Sequence, residues 1–133
     1  MTTTAYLPKS FTRPQLPWND IAILEFPEGT DFEIEPVKLA KDYTEKEGDE
    51  AYIAGFGVWF TNDDPTPKET KVLRHTKISM VEHCFGQLKI CGGNVTHRAM
   101  IGDSGGPMMI HRNNQWYEIG VSAKTGNYVF SRF

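Results

Sequence analysis

The chain has 133 residues, of which 39% are hydrophobic and 23% charged, the balance of a globular protein with one modest core. Its formal net charge is −3 and it has no clustered Lys/Arg face, so a nucleic-acid partner is not expected. No apolar run reaches the length of a membrane span, and the first residues lack the basic and apolar regions of a signal peptide.

The N-terminal third is predicted to be mostly extended. Residues 1–15 contain Pro8 and Pro14 and show no periodicity, which predicts an extended N-terminal arm. Residues 21–26 are apolar, rich in strand-forming side chains and followed by a proline, which predicts a strand. Residues 41–50 are mostly charged and are predicted to form a solvated acidic loop.

The rest of the chain alternates apolar runs with turn signals. Residues 52–60 are apolar and aromatic, 61–70 form a turn-rich connector, and 72–81 show an alternation typical of a strand. Three more candidate strands follow, at 108–111, 116–123 and 128–133. No segment has a helical repeat of 3.6 residues, so the pattern indicates an all-β barrel or sandwich.

Two cysteines, Cys84 and Cys91, limit the redox and metal chemistry of the chain. They are too few for a metal cage and are not spaced as Cys-x-x-Cys. A bond between them would close a short loop and contribute about 2–3 kcal/mol in the chain-entropy model. Spacing alone leaves two alternatives open, a disulfide or two buried free thiols. No cofactor and no bound metal is predicted.

The glycine-rich segment Gly102–Pro107 is the part of the chain best suited to chemistry. A serine nucleophile needs an exposed hydroxyl on a sharp turn, backbone N–H groups aimed at the developing oxyanion, and a base. Glycines beside Ser104 allow such a turn and let a substrate carbonyl come close. Ser104 is therefore the candidate nucleophile, and the N–H groups of Gly102 and Ser104 are the candidate donors of an oxyanion hole.

Two other interpretations of this segment compete. Its Gly-x-Ser-x-Gly pattern also occurs at the nucleophile elbow of α/β-hydrolases, but that elbow leads into a helix. Residues 107–111 are instead apolar and extended, which argues against the elbow. The remaining alternative is a structural glycine turn that happens to contain a serine. Against it, a six-residue segment with Asp103 directly before Ser104 is a more specific match to a nucleophile turn than a pattern of three glycines.

Gly102–Pro107 resembles the nucleophile segment of the chymotrypsin/trypsin family of serine proteases. Other segments resemble the same family in the same order, namely 19–24 around the catalytic aspartate, 55–57 at the start of the second barrel, 72–84 and 90–93 around a cysteine pair, 116–122 along the substrate cleft, and 129–133. The resemblance covers about residues 16–133, the last half of a two-barrel domain. It implies an all-β fold, a chymotrypsin-like antiparallel β-barrel that is mostly the second barrel, with the first incomplete.

The resemblance also implies a serine endopeptidase that hydrolyses peptide bonds. Asp20 would orient a catalytic histidine, and Ser122 would hydrogen-bond Asp20. Cys84 and Cys91 would form a disulfide. The partners would be polypeptide substrates or protease inhibitors, without nucleic acid or a membrane span, and the location would be extracellular.

The chain departs from the family in its histidines. The catalytic histidine should precede Asp20, yet all four histidines follow it, at positions 75, 83, 97 and 111. Without a base, Ser104 keeps an ordinary hydroxyl and is a poor nucleophile, so we expect little or no activity from this chain. Two alternatives remain, a non-catalytic binding protein built on the protease fold and a fragment of a longer active protease.

Two further departures concern charged residues near Ser104. In the family, a freed N-terminus pairs with the aspartate before the serine. Asp103 lacks that partner and is expected to be solvated, protonated or paired with another base, with the oxyanion hole unformed. Arg98 stands at the position of the pocket aspartate of trypsins, and Lys124 follows Ser122 closely. These two cations predict a preference for acidic or polar substrate side chains.

Overall fold

The computed structural model describes residues 3–9, 20–41, 43–82, 89–124 and 129–132. Over these ranges the chain forms strands and no helix, so no described helix is long and apolar enough to cross a membrane. The strands are β1 (Thr4–Tyr6), β2 (Ile23–Glu25), β3 (Lys38–Leu39), β4 (Glu50–Gly55), β5 (Arg74–Val81), β6 (Lys89–Gly92), β7 (Pro107–Arg112), β8 (Gln115–Lys124) and β9 (Val129–Arg132). The predicted all-β class is confirmed.

Seven strands form one sheet in the order β3-β8-β7-β4-β5-β6-β9. Because β9 also pairs with β8, the six strands β4 to β9 close into a ring of hydrogen-bonded neighbours. Every pairing within this ring is antiparallel. Of the described strands, only β3 pairs in parallel, alongside β8. The sheet is therefore a curled antiparallel β-barrel, as the resemblance implied.

The interior of the barrel is filled by alternate side chains of its strands. Ala51 and Ile53 of β4 are buried, and so are Ile78 and Met80 of β5, while their neighbours along each strand are more exposed. This is the period of two that a strand with one buried face shows. The core cluster consists of Tyr43, Ala51, Ile53, Ile78, Met80, Ile90, Ala99, Met108, Ile110 and Ile119.

A separate two-stranded antiparallel sheet, β1 with β2, lies in the N-terminal part of the chain. β2 confirms the strand predicted at 21–26, and β1 shows that part of the predicted extended arm pairs with it. All six residues of the two strands are exposed. No hydrogen bond between described residues joins this small sheet to the barrel. A two-stranded sheet without a buried face is only marginally stable.

Glu118 of β8 gives the barrel a testable dependence on pH. Partial burial raises the pKa of this carboxyl above its ordinary value of 4.5. At neutral pH the carboxyl is ionised in both states and the folded state bears the desolvation cost. Below the pKa of the unfolded chain it is neutral in both states and the cost disappears. We therefore expect Glu118→Gln to raise the midpoint of urea denaturation slightly at pH 7 but not at about pH 3.5.

The matched control for this prediction is Glu69→Gln, which removes a carboxylate from an exposed loop position. Its midpoint should equal that of the parent chain at both pH values. A midpoint that Glu118→Gln lowers at pH 7, or raises equally at both pH values, would contradict the assigned cost of burying this carboxylate.

Candidate functional site

The loop between β6 and β7 ends in the glycine-rich turn Gly102–Pro107, which presents Ser104 at the surface. Gly102 and Gly105 have φ values of +96° and +83°. Glycine adopts this left-handed region without the steric cost of a Cβ atom. The glycines therefore let the chain turn sharply on both sides of an exposed serine hydroxyl.

β8 and β4 hold this turn from two sides. The Gly105 N–H donates to the Ser122 carbonyl and the Ser122 N–H donates to the Gly106 carbonyl, both at 2.8 Å. The Gly106 N–H donates to the Asp103 carbonyl at 2.9 Å and closes the turn on itself. A Cβ atom at Gly106 would lie 2.8 Å from the Ala54 carbonyl oxygen, so the turn is also packed tightly against β4.

Both carboxylate oxygens of Asp103 accept hydrogen bonds from the backbone. Oδ1 accepts the Gly57 N–H at 2.8 Å, and Oδ2 accepts the Met100 N–H at 2.8 Å. No ion pair of Asp103 occurs within the described ranges. The sequence predicted an Asp103 that is solvated, protonated or paired with a base. The structure instead gives this half-buried carboxylate two N–H donors, which offset the cost of burying it.

The fit between Asp103 and the loop after β4 requires glycines. A Cβ atom at Gly57 would lie 2.5 Å from both Cγ and Oδ1 of Asp103, and one at Gly55 would overlap the same carboxylate. A Cβ atom at Gly102 would lie 2.9 Å from the Gly57 Cα atom. The two loops therefore interlock at a spacing that leaves no room for side chains at these three positions.

One further hydrogen bond sets the orientation of the peptide unit that joins Ile101 to Gly102. The Val58 N–H donates to the Ile101 carbonyl at 2.8 Å. Because the peptide unit is planar and trans, the N–H of Gly102 points away from the side where this carbonyl is held. Neither the Gly102 N–H nor the Ser104 N–H donates to any group in the described part of the chain.

Ser122 and Asp20 are not joined by a hydrogen bond. Ser122 is 4% exposed, and its hydroxyl has no partner among the described residues. Asp20 is half-buried and lies shortly before β2. A buried hydroxyl without a partner costs about 1–3 kcal/mol. The site therefore contains an unmatched polar group at the position where the resemblance implies a carboxylate partner, and the expected hydrogen bond from Ser122 to Asp20 is not formed.

A cavity of about 240 Å³ lies between the Asp103 turn and strands β4 and β5. Arg98 lines it, whereas Ser122 does not. The Arg98 guanidinium donates from Nη1 to the Val95 carbonyl at 2.8 Å and from Nε to the Met100 Sδ at 3.2 Å. The structure does not describe the side chain of Lys124. The three residues predicted to bind substrate are thus not brought together at this cavity.

The described histidines are not hydrogen-bonded to the serine. His75 and His97 line the cavity, and His111 packs on Trp116 with ring centroids 4.8 Å apart. None of the three is hydrogen-bonded to Ser104. His83 lies outside the described residues.

The described residues contain no group of three or more His, Cys, Asp or Glu side chains arranged to hold a metal ion. Cys91 is buried on β6, but Cys84 lies outside the described residues. The disulfide implied by the resemblance therefore stays a prediction.

A model of the trypsin family matches residues 2–128, which is nearly the whole chain. The chain belongs to the trypsin family. No curated protein matches it. Membership of the trypsin family confirms the resemblance carried by Gly102–Pro107, supports a protein of the serine-protease type, and suggests polypeptide substrates or inhibitors as partners.

Several contacts of this trypsin-family site were not predicted from the sequence. The resemblance singled out residues 55–57, but not the hydrogen bond from Gly57 to Asp103 or the one from Val58 to Ile101. The available signal was a pair of glycines, Gly55 and Gly57, separated by a single residue. Such a pair indicates that another part of the chain comes close to the backbone. Nothing local marked Met100 as a donor to Asp103.

Gly57→Ala tests the interlock that supports the trypsin-family turn. The added methyl group would overlap the Asp103 carboxylate, and we expect it to lower the free energy of unfolding by about 1–3 kcal/mol in urea denaturation. Asp103→Ala removes the group that the methyl would meet. The double variant should therefore be about as stable as Asp103→Ala alone, which gives a coupling of about 1 kcal/mol or more.

Phe56→Ala is the control, because this residue stands between the two glycines and its side chain is exposed. It should change the free energy of unfolding by no more than about 0.5 kcal/mol. Losses that simply add in the Gly57→Ala/Asp103→Ala variant would show that the two positions do not collide.

Proposed function

We propose that the chain is a serine endopeptidase by descent, with Ser104 as nucleophile, Gly102 and Ser104 as oxyanion donors, and little or no activity in the chain by itself. One observation carries the proposal. Backbone groups of Gly57 and Val58 hold Asp103 and the Ile101 carbonyl, while the N–H groups of Gly102 and Ser104 have no acceptor among the described residues. Backbone N–H groups that are available to an oxyanion beside an exposed serine are one requirement of acyl transfer.

In the proposed reaction, the Ser104 Oγ attacks the carbonyl carbon of a peptide bond. The oxyanion that forms is stabilised by the N–H groups of Gly102 and Ser104. The serine proton passes to a base and then to the leaving amine as the C–N bond breaks. Water hydrolyses the resulting acyl-enzyme and returns the proton to the serine. Asp20 is proposed to orient the base and stabilise its charged form.

The lack of a base beside Ser104 among the described residues limits this chemistry. No described histidine is hydrogen-bonded to Ser104, and no other described residue accepts a hydrogen bond from its hydroxyl. We therefore propose that the chain alone is impaired, and that a longer active protease containing this segment would supply the missing histidine. A non-catalytic protein that binds polypeptides is the second candidate, and the exposed Ser104 without a base favours it.

We propose that positively charged residues near the serine turn decide which substrate side chains are preferred. Arg98 and Lys124 carry positive charge on either side of the serine turn in the sequence, which predicts acidic or polar side chains in preference to Lys or Arg. Arg98 keeps two of its N–H groups engaged within its own loop, so any contact with substrate would use the remaining donors.

Chemical rescue tests the proposed reaction. A fluorophosphonate probe should label the chain no faster than its Ser104→Ala variant in plain buffer, because no base accepts the serine proton. Added imidazole is a soluble proton acceptor and should raise labelling of the parent chain at least tenfold while leaving Ser104→Ala unlabelled. Intact-mass measurement with peptide mapping identifies the labelled residue.

Each outcome of this experiment decides between the candidates. Rapid labelling of Ser104 without imidazole would refute the proposed impairment. No labelling of the folded chain even with imidazole would end the endopeptidase proposal for this chain and support the non-catalytic binding protein. Equal labelling of the Ser104→Ala variant would show that another residue reacts.

We further propose a disulfide between Cys84 and Cys91 and an extracellular location, the general setting of the trypsin family. In protein purified without reductant, Cys84→Ser should lower the free energy of unfolding by about 2–3 kcal/mol. Reductant should lower the stability of the parent chain by a similar amount and leave Cys84→Ser unchanged. Two thiols that react with a maleimide in the unfolded, unreduced parent chain would contradict the bond.

A further inference from the structure

The loop between β6 and β7 contains a motif that the proposed acyl transfer does not use. Residues 94–96 read Asn-Val-Thr, the acceptor triplet for N-linked glycosylation, whose middle residue must not be proline. The amino-acid sequence contains this triplet once. Because such short triplets also arise by chance, the fit of a glycan has to be judged from the structure around Asn94.

The triplet lies in a tight turn on the surface. Residues 94–97 are all exposed, and the Val95 side chain is 68% exposed. The Asn94 N–H donates to the His97 carbonyl at 2.9 Å and closes the turn. Gly93 precedes the turn with a φ of +103°, and a Cβ atom there would lie 2.7 Å from the same carbonyl oxygen. The turn is therefore narrow at its base and open to solvent at residues 94–97, where a bulky polar group can extend away from the barrel.

The oxygen and the nitrogen of the Asn94 side-chain amide have different surroundings. Oδ1 accepts the Thr96 N–H at 2.9 Å, the Thr96 hydroxyl at 2.8 Å and the His97 N–H at 2.9 Å. Nδ2 donates to no group among the described residues. An N-linked sugar replaces one hydrogen of Nδ2 and leaves the carbonyl oxygen in place. The three hydrogen bonds that shape the turn are therefore compatible with the modification.

A second turn of the same kind in this chain shows that the turn itself does not require an amide. The Thr66 N–H donates to Asp64 Oδ1 at 3.1 Å, the same bond between residues two positions apart that Thr96 makes to Asn94. A carboxylate is the acceptor there, and Pro65 stands in the middle, where the glycosylation motif excludes proline. The amide nitrogen at position 94 is thus dispensable for the turn but necessary for an N-linked glycan.

We propose that Asn94 is N-glycosylated when the chain is made in the secretory pathway of a eukaryotic cell. Nδ2 forms a bond to the anomeric carbon of an oligosaccharide that is carried on a lipid diphosphate. The bond from that carbon to the diphosphate oxygen breaks, the lipid diphosphate leaves with the electron pair, and one amide proton passes to a base of the transferase. The proposal rests on the extracellular location proposed above and does not depend on a reactive Ser104.

Expression of the full chain behind a cleavable signal peptide in cultured human cells tests the site. Intact-mass measurement of the secreted chain should show an attached oligosaccharide that peptide:N-glycosidase F removes. This enzyme converts the released asparagine to aspartate, so peptide mapping after treatment should find aspartate at position 94.

Substitutions separate the glycan from the turn. Asn94→Asp keeps an acceptor oxygen but removes the nitrogen, so the variant should fold and be secreted without a glycan. Thr96→Val removes the hydroxyl at nearly constant volume and should lose the glycan, whereas Thr96→Ser keeps the hydroxyl and should retain it. Asn62→Gln is the matched control, since it removes an exposed asparagine that stands outside any acceptor triplet, and it should leave the glycan unchanged.

A parent chain secreted without a glycan would overturn the proposal, and so would a glycan that persists in Asn94→Asp or Thr96→Val. The pool retained inside the cells is analysed in parallel. A glycan found in that pool alone would show that the folded chain does not carry it, which also overturns the proposal. The location is tested separately on the product of the natural gene. If that product stays in the cytosol while the signal-peptide fusion carries the glycan, the extracellular location fails and the acceptor site is supported.

Discussion

The Asp103 carboxylate is the contact on which the rest of the site depends. It joins the turn that carries Ser104 to the loop after β4, through the Gly57 N–H on one side and the Met100 N–H on the other. The same contact explains why residues 55 and 57 are glycines, since a side chain at either would occupy the space of the carboxylate. A charged group inside the fold is thus stabilised by backbone donors, without a cation.

β8 is the strand where the barrel and the site meet. One edge pairs with β7, and the other pairs first with β3 and then with β9, so barrel closure takes place beside the residue that clamps the serine turn. The backbone of Ser122 is fully used in that clamp, while its buried hydroxyl lacks a described partner. The scaffold is complete here in its backbone and incomplete in its polar side chains.

The sequence predicted the fold well where strands are long and alternate. The runs at 72–81, 108–111 and 116–123 correspond to β5, β7 and β8 within a few residues. The short strands β1 and β3 were not predicted, because two or three residues carry too little periodicity to be recognised. Their pairing depends on partners distant in the chain, and no local pattern records it.

Only part of the site could be predicted, because only part of it is marked by a local sequence pattern. The turn around Ser104 has a local signature in its glycines, and the trypsin family followed from it. The hydrogen bond from Gly57 to Asp103 has no such local signature, because the two residues are 46 positions apart in the chain. Arg74 and Trp59 likewise belong to different segments and meet only in the folded barrel, where the Arg74 guanidinium carbon lies 3.7 Å from the centroid of the Trp59 ring.

The 46-residue separation between Gly57 and Asp103 also bears on folding. A contact between such distant segments must offset the entropy of closing the intervening loop, and in the folded barrel the pairing of β4 with β7 closes the same loop. The conformation around Ser104 is therefore a property of the assembled barrel and not of the local peptide.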